Sequence, residues 1–133
     1  MRISPKLVVD NADEALDFYS EVFGGKVERC FTHRGKVVFA AVSIGTTELQ
    51  VKDADGHDQP AQGAIVDVVC VNPDSVMAKA LEHGATQVFP VADQPYGARQ
   101  GRFRDPFGHQ WLVGTEIRMS DDDVQAALDA MVT

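Results

Sequence analysis

Glu48 stands in a strand-like run, Thr47 to Lys52, where a carboxylate can act as a general base or a metal ligand. Tyr96, Arg99, Arg102 and Arg104 gather on a glycine-flanked segment. A guanidinium offers a forked set of donors suited to a carboxylate or phosphate. The competing reading is a solvated strand edge paired with the chain's own acid, which is worth little energetically. Histidines stand at 33, 57, 83 and 109. His57 lies in a polar stretch and His83 ends a helix pattern, where a cation is favoured. His109 follows a tight turn and is expected to bond to nearby backbone. Cys30 and Cys70 fit no metal spacing, and both are expected reduced and at least partly buried.

Secondary-structure patterning places these groups. Ile3 to Val9 reads as a short strand that Pro5 makes start late or run at an edge. Asn11 is a good N-cap, and Ala15, Phe18, Tyr19, Val22 and Phe23 recur at helical spacing until Gly24-Gly25 stops the helix. Val27 to Thr32, Val37 to Ile44 and Thr47 to Lys52 follow as strands. Residues 53 to 63 are polar and rich in Gly and Pro, so they form a linker or loop. Ile65 to Val71 is a strand, and Asn72-Pro73-Asp74 opens a second helix that ends at Gly84. Val88 to Val91 is a short strand. The segment from Tyr96 to Thr115 is a hairpin turning on Asp105-Pro106-Phe107-Gly108. Ser120 and Asp123 resemble a capping box before an amphipathic helix that carries Val124, Ala127, Leu128 and Met131.

Strand alternation then assigns faces. Leu49 and Val51 pack under a helix, leaving Glu48, Gln50 and Lys52 on the other side. Val38, Ala40, Val42 and Ile44 make a core face, leaving Phe39, Ala41 and Ser43 opposite. Trp111 belongs to the helix-side core, with Gln110 and Leu112 opposite, although a place at a cleft rim is the alternative for the indole. Asp67 falls on the helix side of its strand by the same count.

The order is βαβββ, linker, βαβββ, helix, and the halves echo each other: Asn11-Ala12-Asp13 matches Asn72-Pro73-Asp74. Module one takes residues 2–53, the linker 54–63, module two 64–116 and the terminal helix 120–131, all in a single domain. The chain has 133 residues, 44% of them hydrophobic, so a packed core is expected and disorder is not. No apolar run is long enough for a membrane span, and the N-terminus lacks a signal-peptide pattern, so a cytoplasmic protein is expected. A net charge of −8 argues against a broad nucleic-acid surface.

The repeat, the helix NADEALDFYSEVFGG and the hairpin RFRDPFGHQWLVGT resemble the vicinal-oxygen-chelate superfamily, which holds glyoxalase I, extradiol dioxygenases and bleomycin-resistance proteins. The likeness spans about residues 3 to 118 and is strongest to the PhnB-like branch. It implies an α+β fold, paired βαβββ modules forming a curved mixed sheet around a cleft, and a homodimer. Metal-dependent members hold a divalent ion with one ligand from each of four strands. By position those slots fall at Ser4, at or beside Glu48, near Val66 and on Leu112. Glu48 is the one plausible ligand among them, so no metal or other cofactor is expected.

Three functions follow. The favoured one is a metal-free protein that binds an aromatic or conjugated small molecule, an antibiotic for example, through Phe39, Ala41, Gln50, Tyr96, Arg99, Arg102, Gln110 and Leu112. The second is an enzyme: a metal-dependent lyase, isomerase or dioxygenase, or a metal-free catalyst with Glu48 as base. The third is a dimeric interaction module using the terminal helix.

Overall fold

The computed structural model describes residues 1–61 and 63–131; Gln62, in the expected linker, and residues 132 and 133 lie outside the described residues. The elements are β1 (Lys6–Val9), α1 (Ala12–Phe23), β2 (Lys26–His33), β3 (Lys36–Ile44), β4 (Thr47–Asp53), β5 (Ile65–Val69), α2 (Pro73–Glu82), β6 (Thr86–Asp93), β7 (Arg99–Arg104), β8 (Gln110–Gly114) and α3 (Asp121–Ala130). Two four-stranded sheets result, ordered β1-β4-β3-β2 and β5-β8-β7-β6. In each, the first strand joins the last in parallel and the other pairs are antiparallel. Each sheet is therefore the same βαβββ unit, used twice.

Local chemistry explains the helix limits. Asn11 accepts the Glu14 N–H and Asn72 accepts the Ser75 N–H through their side chains. Gly24 ends α1 in the left-handed region, at φ 66°. Both sheets turn one face to a single core with α1 and α2. Leu7, Val9, Ala40, Val42, Leu49 and Val51 come from the first sheet, and Phe103, Trp111 and Val113 from the second. Phe18, Tyr19 and Phe23 of α1 reach across to Phe103 and Trp111, with Tyr19 and Trp111 centroids 5.3 Å apart. Helix α1 thus packs on both sheets, and each sheet's second face points away from the shared core. Helix α3 has no buried residue.

Several expectations need correction. Val37, not Val38, enters the core, and Val38 is exposed. The register of β2 against β3 shifts between Phe31 and Thr32, and this irregularity rotates the start of β3 out of simple alternation. Strand β6 runs Thr86–Asp93, longer than Val88–Val91. Cys30 is exposed, because β2 is an edge strand with no buried residue; Cys70 is half-buried and both thiols are free. Asp67 is not on the helix side. Its neighbours Val66 and Val68 pack on the core, while Asp67 is exposed beside Leu112 in the parallel register.

Candidate functional site

The faces turned away from the core are the surfaces left for a ligand. On the first sheet, β4 presents Glu48 and Gln50 while Leu49 and Val51 are buried, as alternation predicts. Gln50 pairs with Ala41 and with Lys6, and Phe39 pairs with Phe31. Phe31 and Phe39 lie with centroids 6.0 Å apart, and the Lys6 ammonium sits 5.4 Å from the Phe39 centroid. This is an aromatic platform with a cation above it. Glu48 is neutralised within the chain: its carboxylate meets Arg2 at 3.4 Å and Arg29 at 3.8 Å. At the end of the same strand Lys52 is buried, with its ammonium 2.8 Å from Asp55 and also bonded to Asp58.

On the second sheet, Arg102 pairs with Phe89 on one side and Leu112 on the other, and Leu112 pairs with Asp67. A register shift between Phe89 and Ala92 lets Phe89 share this face, although Val91 packs on the core. The Arg102 guanidinium carbon lies 5.3 Å from the Phe89 centroid. One row along, Arg104 pairs with Gln110 and Gln110 with Ile65. Gln100 is buried on this face, and its side-chain Oε1 accepts a hydrogen bond from the Tyr96 hydroxyl.

The arginine segment therefore divides. Arg99 lies on the helix side of β7, where Nε and Nη2 bond to Asp74 on α2 at 2.7 and 2.8 Å, with Asp93 at 3.3 Å from Nη1. Those carboxylates push the Arg99 pKa up, and Arg99 holds Asp74 below the usual carboxylate range. Arg99 is separated from Arg102 and Arg104 by the alternation of its own strand. Trp111 is 1% exposed, and its indole N–H donates to Asp105, so it is core and not cleft rim. His109 Nε2 bonds the Val8 carbonyl at 2.9 Å, the backbone partner expected for it.

Sequence reading missed Lys6, Phe31 and Phe89, the residues that build the two cation-on-ring pairs. Phe89 was hidden by Pro90 and the irregular register beyond it. Phe39, Ala41, Glu48 and Gln50 come together on one sheet, and Arg102, Gln110 and Leu112 on the other. The two groups stand on separate sheets. An apolar cavity of about 520 Å³ lies between the β3–β4 turn and β5, lined in part by Phe23, Ile44, Leu49, Val68 and Trp111, and none of the predicted ligand-binding residues lines it.

A metal does not fit the donors present. Among the described residues no three of His, Cys, Asp and Glu converge to hold an ion. Of the four slots, Ser4 is a weak donor for a borderline metal and Leu112 is none; Val66 packs against the core, half-buried, with Asp67 facing out beside it.

The family comparison agrees with this architecture: the model of the Glyoxalase/Bleomycin resistance protein/Dioxygenase superfamily matches residues 3–113, and the chain belongs to that superfamily. Uncharacterized proteins of Mycobacterium bovis and Mycobacterium tuberculosis are each 31% identical over 140 residues, covering 96% of this chain and 92% and 82% of those proteins. Among solved structures, TioX from a Micromonospora species superposes with a TM-score of 0.69 at 24% identity, covering 86% of this chain and 98% of TioX. The PhnB protein from Bacillus cereus, described as a putative 3-demethylubiquinone-9 3-methyltransferase, gives a TM-score of 0.74 at 18% identity, with coverage of 87% and 100%. At these identities the two structures share the fold with this chain. No helix of the described residues is long and apolar enough to cross a membrane.

Proposed function

We propose that this chain is a metal-free small-molecule-binding member of its superfamily, taking an aromatic or conjugated ligand on the outward sheet faces. The observation that carries this reading is the Phe31–Phe39 pair. Phe31 is 56% exposed, and both rings sit on a sheet face that no helix of the described residues covers. Rings in that position lose little by covering a flat ligand, and burial of apolar ligand surface needs no catalytic group. Gln50 and Ala41 border the platform, and Arg102, Gln110 and Leu112 form the matching half on the other sheet.

The two halves lie on separate sheets of one chain, and we propose a homodimer in which the first sheet of one copy faces the second sheet of its partner. The ligand then lies between them. Glu48, already paired with two arginines, serves this arrangement as a polar wall and not as a base.

A thermal-shift screen of planar aromatic compounds, run with metal analysis of protein purified without chelator, tests the reading. Stabilisation by a subset of compounds at substoichiometric metal is expected. A stoichiometric divalent ion, or no stabilisation by any compound, overturns it.

A further inference from the structure

Resting on that binding reading, we propose that the ligand is an organic anion, a planar apolar body bearing a carboxylate or similar oxyanion, and that Arg102 receives the charged group. The chain has 20 acidic residues against 12 Lys and Arg. Arg99 takes Asp74 and Asp93, Arg2 and Arg29 take Glu48, Arg118 takes Glu116, and Lys52 takes Asp55 and Asp58. Among the described residues, Lys6, Lys26, Arg34, Lys36, Lys79, Arg102 and Arg104 have no carboxylate within salt-bridge distance. Of these, Lys6, Arg102 and Arg104 share cross-strand rows with the outward residues Gln50, Leu112 and Gln110.

Two of these cations are nonetheless held in place. Arg102 stacks at 5.3 Å on Phe89 and Lys6 at 5.4 Å on Phe39. A ring orients a cation without neutralising it, so the charge stays available to a ligand. In Arg102, Nε is buried and has no hydrogen-bond partner among the described residues. The guanidinium thus lacks any carboxylate anchor, and its two outer nitrogens are the donors left to an incoming oxyanion.

The remaining charges on these faces do not reverse the sign. Glu48 is matched by two arginines, and Asp67 stands two strands from Arg102 in the same cross-strand row without pairing with it. Lys6, Arg102 and Arg104 thus outnumber Asp67 among the unpaired charges placed there, on a molecule of net charge −8. An approaching anion is repelled by the rest of the surface and drawn to this one.

Isothermal titration of the full chain with 2-naphthoate, 2-naphthamide and protonated 2-naphthylmethylamine tests the inference. The carboxylate should bind about tenfold tighter than the amide, as a charge-assisted bond supplies, and the amine should bind weakest. Arg102→Gln should abolish the preference, bringing 2-naphthoate down to the level of the amide. Arg102→Lys, which keeps the charge but loses the fork, should fall between, and it decides the matter if the Gln variant does not fold. Equal binding of all three probes overturns the anion inference and leaves the aromatic-binding reading standing. No binding of any probe overturns both. Undiminished preference for 2-naphthoate in both Arg102 variants removes Arg102 from the site.

Discussion

The Tyr19 hydroxyl donates a 2.7 Å hydrogen bond to Asp105 Oδ2, joining the helix of the first module to the turn of the second across 86 residues of sequence. The same oxygen accepts the Trp111 indole N–H at 2.8 Å, and Oδ1 accepts the backbone N–H groups of Phe107 and His109 at 2.9 and 3.0 Å. A single buried carboxylate therefore shapes the Asp-Pro-Phe-Gly turn and fixes the core tryptophan and the helix together. Its charge is tolerated because every contact is a donor.

Asp105→Ala leaves two side-chain donors in the core without an acceptor. Leaving a buried donor unmet costs about 1–3 kcal/mol, so the variant should lose more than about 3 kcal/mol or fail to fold. Tyr19→Phe removes one bond to a charged acceptor and should cost about 1.5–3 kcal/mol. Urea unfolding followed by Trp111 fluorescence measures both.

Alkaline pH should act on the same pair. Burial first, and then the Asp105 charge and hydrogen bond, push the Tyr19 phenol far above its ordinary value near 10. Below pH 10 the phenol is protonated in both folded and unfolded chains. Above it, the unfolded chain releases the proton and the folded chain keeps it, so stability falls as pH rises, by about 1.4 kcal/mol per pH unit from this group. Tyr19→Phe should have the shallower alkaline limb; equal slopes from pH 10 to 11 would contradict the assignment.

Gly101 predicts a packing constraint. A Cβ there would lie 2.7 Å from Val91 Cγ2, 2.8 Å from the Val91 backbone nitrogen and 3.0 Å from Met77 Cε. The backbone of β6 cannot yield as a flexible side chain can, so Gly101→Ala should destabilise by about 1–3 kcal/mol. The denaturation midpoint should move with little change in slope.

What sequence could reveal follows from how many constraints acted on each residue. The paired modules were legible because helix stripes, caps and turn glycines agreed with one another. Glu48 and Gln50 were assigned correctly because Leu49 and Val51 alternate with polar residues. In β5 the valines offered no such contrast. Asp67 was its one polar marker, and it marks the outward face, opposite to the count made from its neighbours. In β3 a register shift replaced Val38 with Val37 in the core, and two adjacent valines conceal such a shift. The grouping of Arg99 with Arg102 failed because neighbours in sequence lie on opposite sides of a strand. The cation-on-ring pairs depend on cross-strand register, which no local pattern encodes.

Asp53 makes a further joint between elements. Its Oδ1 accepts the N–H of Ala12, the first residue of α1, at 2.8 Å, and its Oδ2 accepts the Val37 N–H at 2.7 Å. Both donors are buried, so Asp53→Ala should cost about 2–4 kcal/mol, from two unmet N–H groups. Amide exchange should quicken at Ala12 and Val37 before it does in the second sheet.

The loop after β4 offers a test in acid. The Lys52 ammonium is held between Asp55 and Asp58, and Asp55 Oδ1 also accepts the N–H groups of His57 and Asp58. The bond from Lys52 first, and then the two backbone donors, hold the Asp55 carboxyl well below its ordinary value. A lowered folded value means the carboxylate favours the closed loop above pH 4 and loses that effect as pH falls further. Exchange protection at the His57 and Asp58 amides should stay level from pH 7 to 5 and decline below 4. Lys52→Met should reduce that protection at neutral pH, since the carboxylates then lose their shared cation. Protection that is unchanged in the variant would mean that the Asp55 turn holds itself without the lysine.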